Sequence, residues 1–392
     1  MTVPIGENPE SRFGPPNDFK SKYRVIETQA YQPNVDVGER AQKRFNLASR
    51  KSYRYIRPLL RPLYRLYQEV CHYPDKEKSW KTPAIKVAEE FLANEKVDAI
   101  ISSSSPVTCH IIAKELKNKH TIPWIADLRD LWTQNHAYPY TLFRKMIERR
   151  LEMEVLRHAD ALVTTSLIWA EELKGLHRTG HVYVITNGFD PERLSEKEFD
   201  LTPKFSITYT GQIYPGKQDP SKLLIALRDL TNEGTIEAED VEIRFYGPSD
   251  ELLAREIERY RLSGVVKQCG VVPRQVAHTK QKESELLLLF NWEDQKEKGV
   301  YTLKIFEYLA SQRPILAAGG SGDDVIEALL KETKAGVYCR TVEDIKSALM
   351  VWYTEYKENG RVPYIGDAEQ INKYSYRGMA REFAGVLSVA SI

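Results

Sequence analysis

Lys304-Ile-Phe-Glu-Tyr-Leu-Ala-Ser-Gln-Arg-Pro-Ile-Leu-Ala317 is the stretch from which the fold can be read. Its first residues follow a helical period, Arg313-Pro314 stops it, and an apolar strand, Ile315 to Ala318, follows. Lys304 and Glu307 fall on one helical face, one turn apart. Just upstream, Leu286 to Phe290 is an unbroken apolar strand. A lysine and a glutamate at a helix start beyond such a strand suit a ligand carrying phosphate and ribose. They equally suit an ordinary surface ion pair.

The same alternation runs through most of the chain. Strands are expected at Ala99–Ile101, Pro123–Ala126, Ala161–Thr164 and Val182–Ile185, then at Ser206–Tyr209, Val241–Tyr246, Leu286–Phe290 and Pro314–Ala318. Helical patterns lie between them, among them Val107–Lys117, Tyr140–His158 and Ser221–Glu233. Strand-helix repetition of this kind means parallel sheets covered on both faces, an α/β chain of two Rossmann-like doubly wound domains. The expected division is 1–190 for the N-terminal domain, 204–370 for the C-terminal domain and 371–392 for a last helix that packs back on the first domain. Asn187 to Pro203 breaks the pattern between them.

In such sheets ligands bind beyond the carboxyl ends of the strands. There the sequence places Ser102 to Pro106, Asp127-Leu-Arg-Asp130, Thr164 to Ser166, Asn187-Gly188, Gly211 to Lys217, Gly247-Pro-Ser249, Asn291 to Glu293 and Gly319 to Gly322. One such loop is turn chemistry. Eight at one edge predict a cleft between the two domains.

Composition sets the outer limits. The net charge of +1 gives no global pull toward nucleic acid. Cys71, Cys109, Cys269 and Cys339 have neither metal-ligand nor disulfide spacing and are expected to be reduced. No apolar run approaches the roughly 20 residues of a membrane span. The N-terminus has no signal-peptide core.

Gly211 to Lys217 spells G-x-x-x-x-G-K and invites comparison with a Walker A loop. Gln218 stands where Mg²⁺ needs a hydroxyl, Asp219-Pro220 delays the following helix, and Pro215 removes a backbone N–H. A P-loop NTPase is therefore a minor alternative. A glycine that permits close backbone approach, with Lys217 as a point charge on phosphate, remains open, as does a plain turn with a solvated lysine.

Taken in order, Ile100-Ile-Ser-Ser-Ser-Ser-Pro106, Ile122-Pro-Trp-Ile-Ala-Asp-Leu-Arg-Asp-Leu-Trp132, His158-Ala-Asp-Ala-Leu-Val-Thr-Thr165, Val184-Ile-Thr-Asn-Gly-Phe-Asp190, Tyr209-Thr-Gly-Gln-Ile213 and Lys304-Ile-Phe-Glu-Tyr-Leu309 resemble a retaining glycosyltransferase of the GT-B fold, family 4. The resemblance covers roughly Pro83 to Leu387. It implies a C-terminal domain that holds a nucleotide-sugar donor, UDP- or GDP-linked, and an N-terminal domain that holds the acceptor. It implies no tightly bound cofactor and no required metal. Glu307 would accept the ribose hydroxyls, and Lys217 would neutralise the diphosphate. Gly211, Gln212 and Gly247 would let the backbone come close. Gly299, Val300, Tyr301 and Thr302, with the helix start at Lys304, would offer N–H donors to the anion. On the acceptor side Asp127, Arg129 and Asp130 are the catalytic candidates: a carboxylate could orient a hydroxyl or take its proton, or the aspartates could simply cap the next helix with Arg129 paired to them. His110, alone on its helix, reads as structural. The family implies front-face displacement in which the donor phosphate helps to take the acceptor proton.

Three features depart from the family pattern. Glu307 is the second of a usual pair of glutamates, and Gly299 stands at the first position, with Glu293 and Glu297 nearby. Gln212 replaces a frequent arginine. The chain opens Met1-Thr-Val-Pro-Ile-Gly-Glu7, similar to the family's second strand, with Tyr23-Arg-Val-Ile26 as the third. The first strand and helix are expected to be missing, through a truncated gene model or in a naturally incomplete, non-catalytic partner protein.

Residues Arg40 to Arg65 carry nine Lys/Arg and no Asp/Glu, and aromatic and leucine residues interleave with them up to Tyr67. Residues 40–67 suit an anionic membrane surface, against the alternative of a solvated helical face; no nucleic-acid module is present. The expected protein is a hexosyltransferase-type enzyme acting on a glycan or lipid-linked acceptor in surface polysaccharide biosynthesis, cytoplasmic and peripheral on the inner face of the cytoplasmic membrane.

Overall fold

Leu286–Phe290 is a strand buried at every residue. Its alternate side chains enter different cores: Leu286, Leu288 and Phe290 join one apolar cluster, Leu287 and Leu289 another. A strand covered on both faces cannot alternate with polar residues, which is why this run is continuous in the sequence. The computed structural model describes residues 24–26, 28, 67–192 and 199–390.

The described residues form two sheets. The first holds β1 (Ile100–Ser104), β2 (Trp124–Leu128), β3 (Ala161–Thr164) and β4 (Val182–Val184), in that order. Between and before them run α1 (Lys81–Leu92), α2 (Thr108–His120), α3 (Leu142–Leu156) and α4 (Leu167–His177). The second sheet holds β5 (Phe205–Thr210), β6 (Val241–Tyr246), β7 (Val266–Gly270), β8 (Leu286–Phe290), β9 (Ile315–Ala318) and β10 (Gly336–Cys339). Its order is β7-β6-β5-β8-β9-β10, with neighbouring strands parallel. The strand order reverses between β5 and β8, and in open sheets of this kind the crevice beyond the carboxyl ends at such a point is where a ligand is expected. Its helices are α5 (Ser221–Asn232), α6 (Glu251–Arg259), α7 (Arg274–Lys282), α8 (Leu303–Ser311), α9 (Val325–Thr333), α10 (Val342–Asn359), α11 (Ala368–Lys373) and α12 (Tyr376–Ala390).

The chain divides into two units. One runs to Thr164 and includes Ala170–Tyr183 and the residues from Val386; the other comprises Thr165–Trp169 and Val184–Gly385. The eight expected strands are all present, seven of them within two residues at either end; β1 runs three residues further than expected, to Ser104. Two more, β7 and β10, have no counterpart among the expected strands. Arg24–Ile26, expected as part of a strand, carry none; Arg24 and Val25 are exposed, so the run has no buried sheet face. Met1–Glu7 and residues 40–66 lie outside the described residues.

The helix stops and starts follow local chemistry. Gln312 closes α8 in the left-handed conformation (φ 52°) and Pro314 follows two residues later. Asp324 caps α9 by accepting from the Ile326 and Glu327 N–H groups. Thr341 and Asp344 form a reciprocal box at α10.

The first unit carries a charged stripe where a helix normally buries apolar side chains. Arg144, Glu148 and Glu152, spaced one turn apart on α3, are all at most 3% exposed. Arg144 donates to Glu148 Oε1 (2.6 Å) and to the carbonyls of Gln68, Glu69, His72 and Pro74, so all five of its N–H donors are used. Its guanidinium also lies 3.5 Å from the centroid of the Tyr140 ring. Glu152 accepts from the Thr133 N–H at 3.1 Å and from the Thr133 hydroxyl. Arg144→Met would strand Glu148 as a buried charge. We expect a loss of about 3–5 kcal/mol in denaturant unfolding, not recovered by Arg144→Lys, whose ammonium lacks the planar five-donor fork.

Candidate functional site

Three strand ends meet through backbone at the crevice of the second sheet. The Gly211 N–H donates to the Tyr246 carbonyl (2.7 Å), and the Gly247 N–H donates to the Gly270 carbonyl (2.9 Å). A Cβ on Gly247 would lie 2.1 Å from the Gly211 oxygen, so Gly247 is required by packing against Gly211. Gly211 itself has φ 105°, and a Cβ there would meet Lys304 Cε at 2.6 Å. The lysine stem occupies the volume that any other residue at 211 would fill.

Lys304, at the start of α8, is held over that bare backbone. Its ammonium donates to the Tyr209 hydroxyl (2.7 Å) and to the Gln212 carbonyl (3.1 Å), and lies 4.5 Å from the centroid of the Tyr209 ring. The Tyr209 hydroxyl donates to the same Gln212 carbonyl (2.7 Å), which fixes the Gly211-Gln212 turn. Gln212 thus contributes its main chain. Burial draws the Lys304 ammonium down to about 8, with Glu307 opposing the shift. Behind it, Tyr308 accepts from the Thr210 N–H (3.1 Å), and Ser311 and Gln281 continue a buried chain of hydrogen bonds. These bonds seat α8 against the end of β5.

The N-terminus of α8 has no side-chain cap. Thr302 occupies the cap position, yet its hydroxyl makes no cap bond and is buried without a hydrogen-bond partner. Val300 donates its N–H to the Glu297 carbonyl (3.0 Å), and the Tyr301 ring packs on Phe306 at 5.5 Å. Glu307, one turn on, accepts from Arg274 Nη2 (2.9 Å), with His278 Nε2 4.0 Å away. Lys304 and Glu307 therefore take separate partners. Arg274 opens α7 just past β7 and is absent from the site expected from the sequence. Recognition of β7 is what would find it, because it follows that strand's carboxyl end.

Lys217, the expected phosphate ligand, donates to Glu297 Oε1 (2.7 Å) and stands over the Trp292 ring. Glu297 is 3% exposed, so Lys217 serves as counter-charge to a buried carboxylate. Lys222 pairs likewise with Glu293, which also accepts from the Gly320 N–H. Among these cations Lys304 is the one held by a hydroxyl and a carbonyl rather than by a carboxylate. The loop is not a P-loop in geometry. α5 begins at Ser221, and the Gln218 amide is spent on the Phe290 carbonyl (2.8 Å) and the Tyr214 N–H (3.2 Å).

Gly299 has a neighbour that sequence spacing does not reveal. A Cβ there would lie 2.7 Å from Trp169 Cδ1 and 3.1 Å from Ser166 Oγ. Trp169 is buried, and its backbone N–H donates to Ser166 Oγ (3.3 Å). No glutamate can occupy 299 while Trp169 stays in place.

In the first unit Asp127 lies inside β2 and is 4% exposed. Its Oδ2 accepts from the Ser103 hydroxyl (2.8 Å) and from Arg129 Nε (2.9 Å), while Oδ1 is buried without a hydrogen-bond partner. Asp130 is exposed; partial desolvation by the surrounding chain raises its carboxyl above the usual range, and His136 opposes that. The alternative that the aspartates cap the next helix fails, because α3 begins at Leu142 and is capped by Thr141. The Arg129 pairing holds for Asp127. His110 is fully buried: the Ser102 hydroxyl lies 2.7 Å from Nδ1 and itself receives the Trp124 indole N–H. Burial holds the imidazole neutral, down at about 3, which fits the structural role read from the sequence.

Among the described residues no group of three or more His, Cys, Asp or Glu is placed to hold a metal ion, and no helix is long and apolar enough to cross a membrane.

Residues 50–193 match the model of Glycosyltransferase Family 4. A search of curated proteins gives no match. Among solved structures, sucrose-phosphate synthase from Thermosynechococcus elongatus is similar at 12% identity and TM-score 0.54, covering 79% of this chain and 78% of its own. An α,α-trehalose-phosphate synthase (UDP-forming) from Burkholderia vietnamiensis gives 12% and 0.54 over 81% and 77%. The lipopolysaccharide outer core galactosyltransferase WaaB gives 14% and 0.50 over 79% and 80%. At these identities the likeness establishes the fold, which is that of the GT-B glycosyltransferases.

The Trp169 contact can be tested by stability. Gly299→Glu is expected to cost about 1–3 kcal/mol in thermal unfolding through overpacking, and to cost less when introduced into a Trp169→Ala background than into the parent. An unchanged melting temperature for Gly299→Glu alone would show that Trp169 yields freely.

Proposed function

We propose, from the premise that this chain is a glycosyltransferase family 4-like protein of the GT-B fold, that it moves a hexose from a UDP- or GDP-sugar to a glycan or lipid-linked acceptor. The observation that carries the donor side is Lys304 laid over Gly211 beside the uncapped start of α8. An ammonium without a carboxylate partner, a buried threonine hydroxyl without a bond and a helix N-terminus together make a place for a diphosphate. Glu307 accepts the ribose hydroxyls, and its present partner Arg274 then shares the nucleotide's negative charge. The diphosphate is the leaving group, so the Lys304 charge also stabilises the transition state. Lys217 acts indirectly, by keeping Glu297 neutralised behind the loop.

On the acceptor side Asp127 is the proposed orienting group. A buried carboxylate oxygen without a donor favours a bound hydroxyl, and Arg129 and Ser103 fix the other oxygen. Transfer with retention, by front-face displacement with the departing phosphate receiving the acceptor proton, is the mechanism that needs no further carboxylate. Surface polysaccharide is the proposed destination, and residues 40–67 remain the proposed membrane-facing segment.

A binding-only protein is the second reading, favoured by Trp169 filling the place of the first family glutamate. Release of UDP from UDP-sugars by the isolated protein separates the two.

Titration calorimetry with UDP and GDP tests the donor site. Lys304→Met and Glu307→Ala are each expected to weaken nucleotide binding by about tenfold or more, and Lys217→Met by less. Equal losses at Lys217 and Lys304 would return the phosphate role to Lys217. The pH dependence has a defined sign. Below about 8 Lys304 is an ammonium; above it the free protein holds an amine. Affinity should therefore fall progressively as pH rises through about 8, and the Lys304→Met protein should lack that fall.

A further inference from the structure

The helix α3 is amphipathic in the reverse sense. Its charged stripe, Arg144, Glu148 and Glu152, is buried together with Val155 and Leu156 of the last turn, and five of its apolar residues face out. Leu142 is 79% exposed, Phe143 74%, Met146 63%, Met153 44% and Ile147 41%. At 100° per residue these five share one side of the helix. Interspersed on that side are Arg149, Arg150 and Arg157, all exposed. Its acidic residue, Glu154, is taken up by Lys114 from α2. The outward side is therefore apolar and cationic.

This arrangement is held rigidly. The inward charges are fixed by the five donors of Arg144 and by the Thr133 bonds to Glu152, so α3 cannot roll to hide its apolar side without stranding them. The adjoining helical turn at 67–71 adds to the exposed apolar surface. Glu69 accepts from the Thr141 N–H (2.8 Å) and hydroxyl (2.9 Å) at the α3 cap, and Tyr67 and Val70 in the same turn are 55% and 65% exposed. The chain enters this turn from Arg40–Arg65, whose charge is entirely basic.

We propose that the outward face of α3 docks on an anionic lipid bilayer. The chemistry of the face selects this occupant. Leucine, phenylalanine and methionine side chains gain by entering the acyl boundary, arginines interspersed with them meet lipid phosphates, and α3 turns no unpaired carboxylate toward the surface. A protein partner of apolar chemistry alone would not account for three arginines on the same side. The inference deepens the reading of a lipid-linked acceptor and rests on it for its purpose. It places the acceptor-side unit against the layer in which such an acceptor is anchored.

The test is co-flotation of the full chain with vesicles of phosphatidylcholine alone and of equal parts phosphatidylcholine and phosphatidylglycerol. The parent protein is expected to float with the anionic vesicles and weakly or not at all with the neutral ones. Phe143→Asn with Met146→Asn should reduce vesicle affinity by at least about tenfold, since two large apolar side chains no longer enter the bilayer. Arg149→Gln with Arg150→Gln should reduce it and flatten its salt dependence. All four positions are exposed, so thermal unfolding should match the parent. The same variants should bind UDP as the parent does, which keeps failure here distinct from failure of the donor reading. Unchanged flotation of the Phe143/Met146 variant overturns the proposal. If Arg57→Gln with Arg61→Gln alone abolishes flotation, attachment belongs to the upstream segment and not to α3. A parent that floats with neither vesicle, or that sediments as a dimer dissociated by Phe143→Asn, overturns it as well.

Discussion

The position of Lys304 over Gly211 is the constraint on which the donor half of the molecule depends. The missing side chain at 211 lets the lysine stem cross the end of β5, and the Tyr209 hydroxyl and Gln212 carbonyl then hold its ammonium. Any side chain at 211 would need a strained backbone at φ 105° and would evict the lysine. Gly247 is tied to the same point by its contact with the Gly211 carbonyl. Helix α8 is seated there through Tyr308 and Thr210, so Glu307 and the open helix start inherit their positions from the same contact.

Charge is distributed unevenly around this point. Lys217, Lys222 and Arg274 each have a carboxylate partner, in Glu297, Glu293 and Glu307. Lys304 has oxygens that carry no full charge. A lysine that is hydrogen-bonded to no carboxylate and partly desolvated retains most of its attraction for an incoming anion, because the site is not screened as a surface pair is. Its lowered proton affinity is the cost of that placement.

Much of the fold is legible in the amino-acid sequence. The bounds of β3, β6 and β8 can be read there to the residue: β3 and β8 are buried along their whole length and mostly or wholly apolar, and β6 alternates apolar residues with Glu242 and Arg244. β7, with Lys267, Gln268 and Cys269, and the short β10 are edge strands whose partial exposure breaks that signal. With β7 hidden, Arg274, the partner of Glu307, is hidden too. The exchange of roles between Lys217 and Lys304 is illegible for another reason. The Glu297 that occupies Lys217 and the Tyr209 that holds Lys304 are each many tens of residues away in the chain. Ser166 stands out in the sequence as the end of a loop after β3, but its meeting with Gly299 depends on folding alone. The reversed helix α3 escapes notice because a buried charged stripe opposite an exposed apolar one gives a weak sequence period.

A crystal structure of the protein with UDP, or with GDP if that is the nucleotide retained in calorimetry, tests the central claim most directly. The account predicts the diphosphate within about 3 Å of Lys304 Nζ at the start of α8, with the ribose hydroxyls on the Glu307 carboxylate. A diphosphate bound to Lys217 with Glu297 displaced, and Lys304 still on Tyr209, would contradict it.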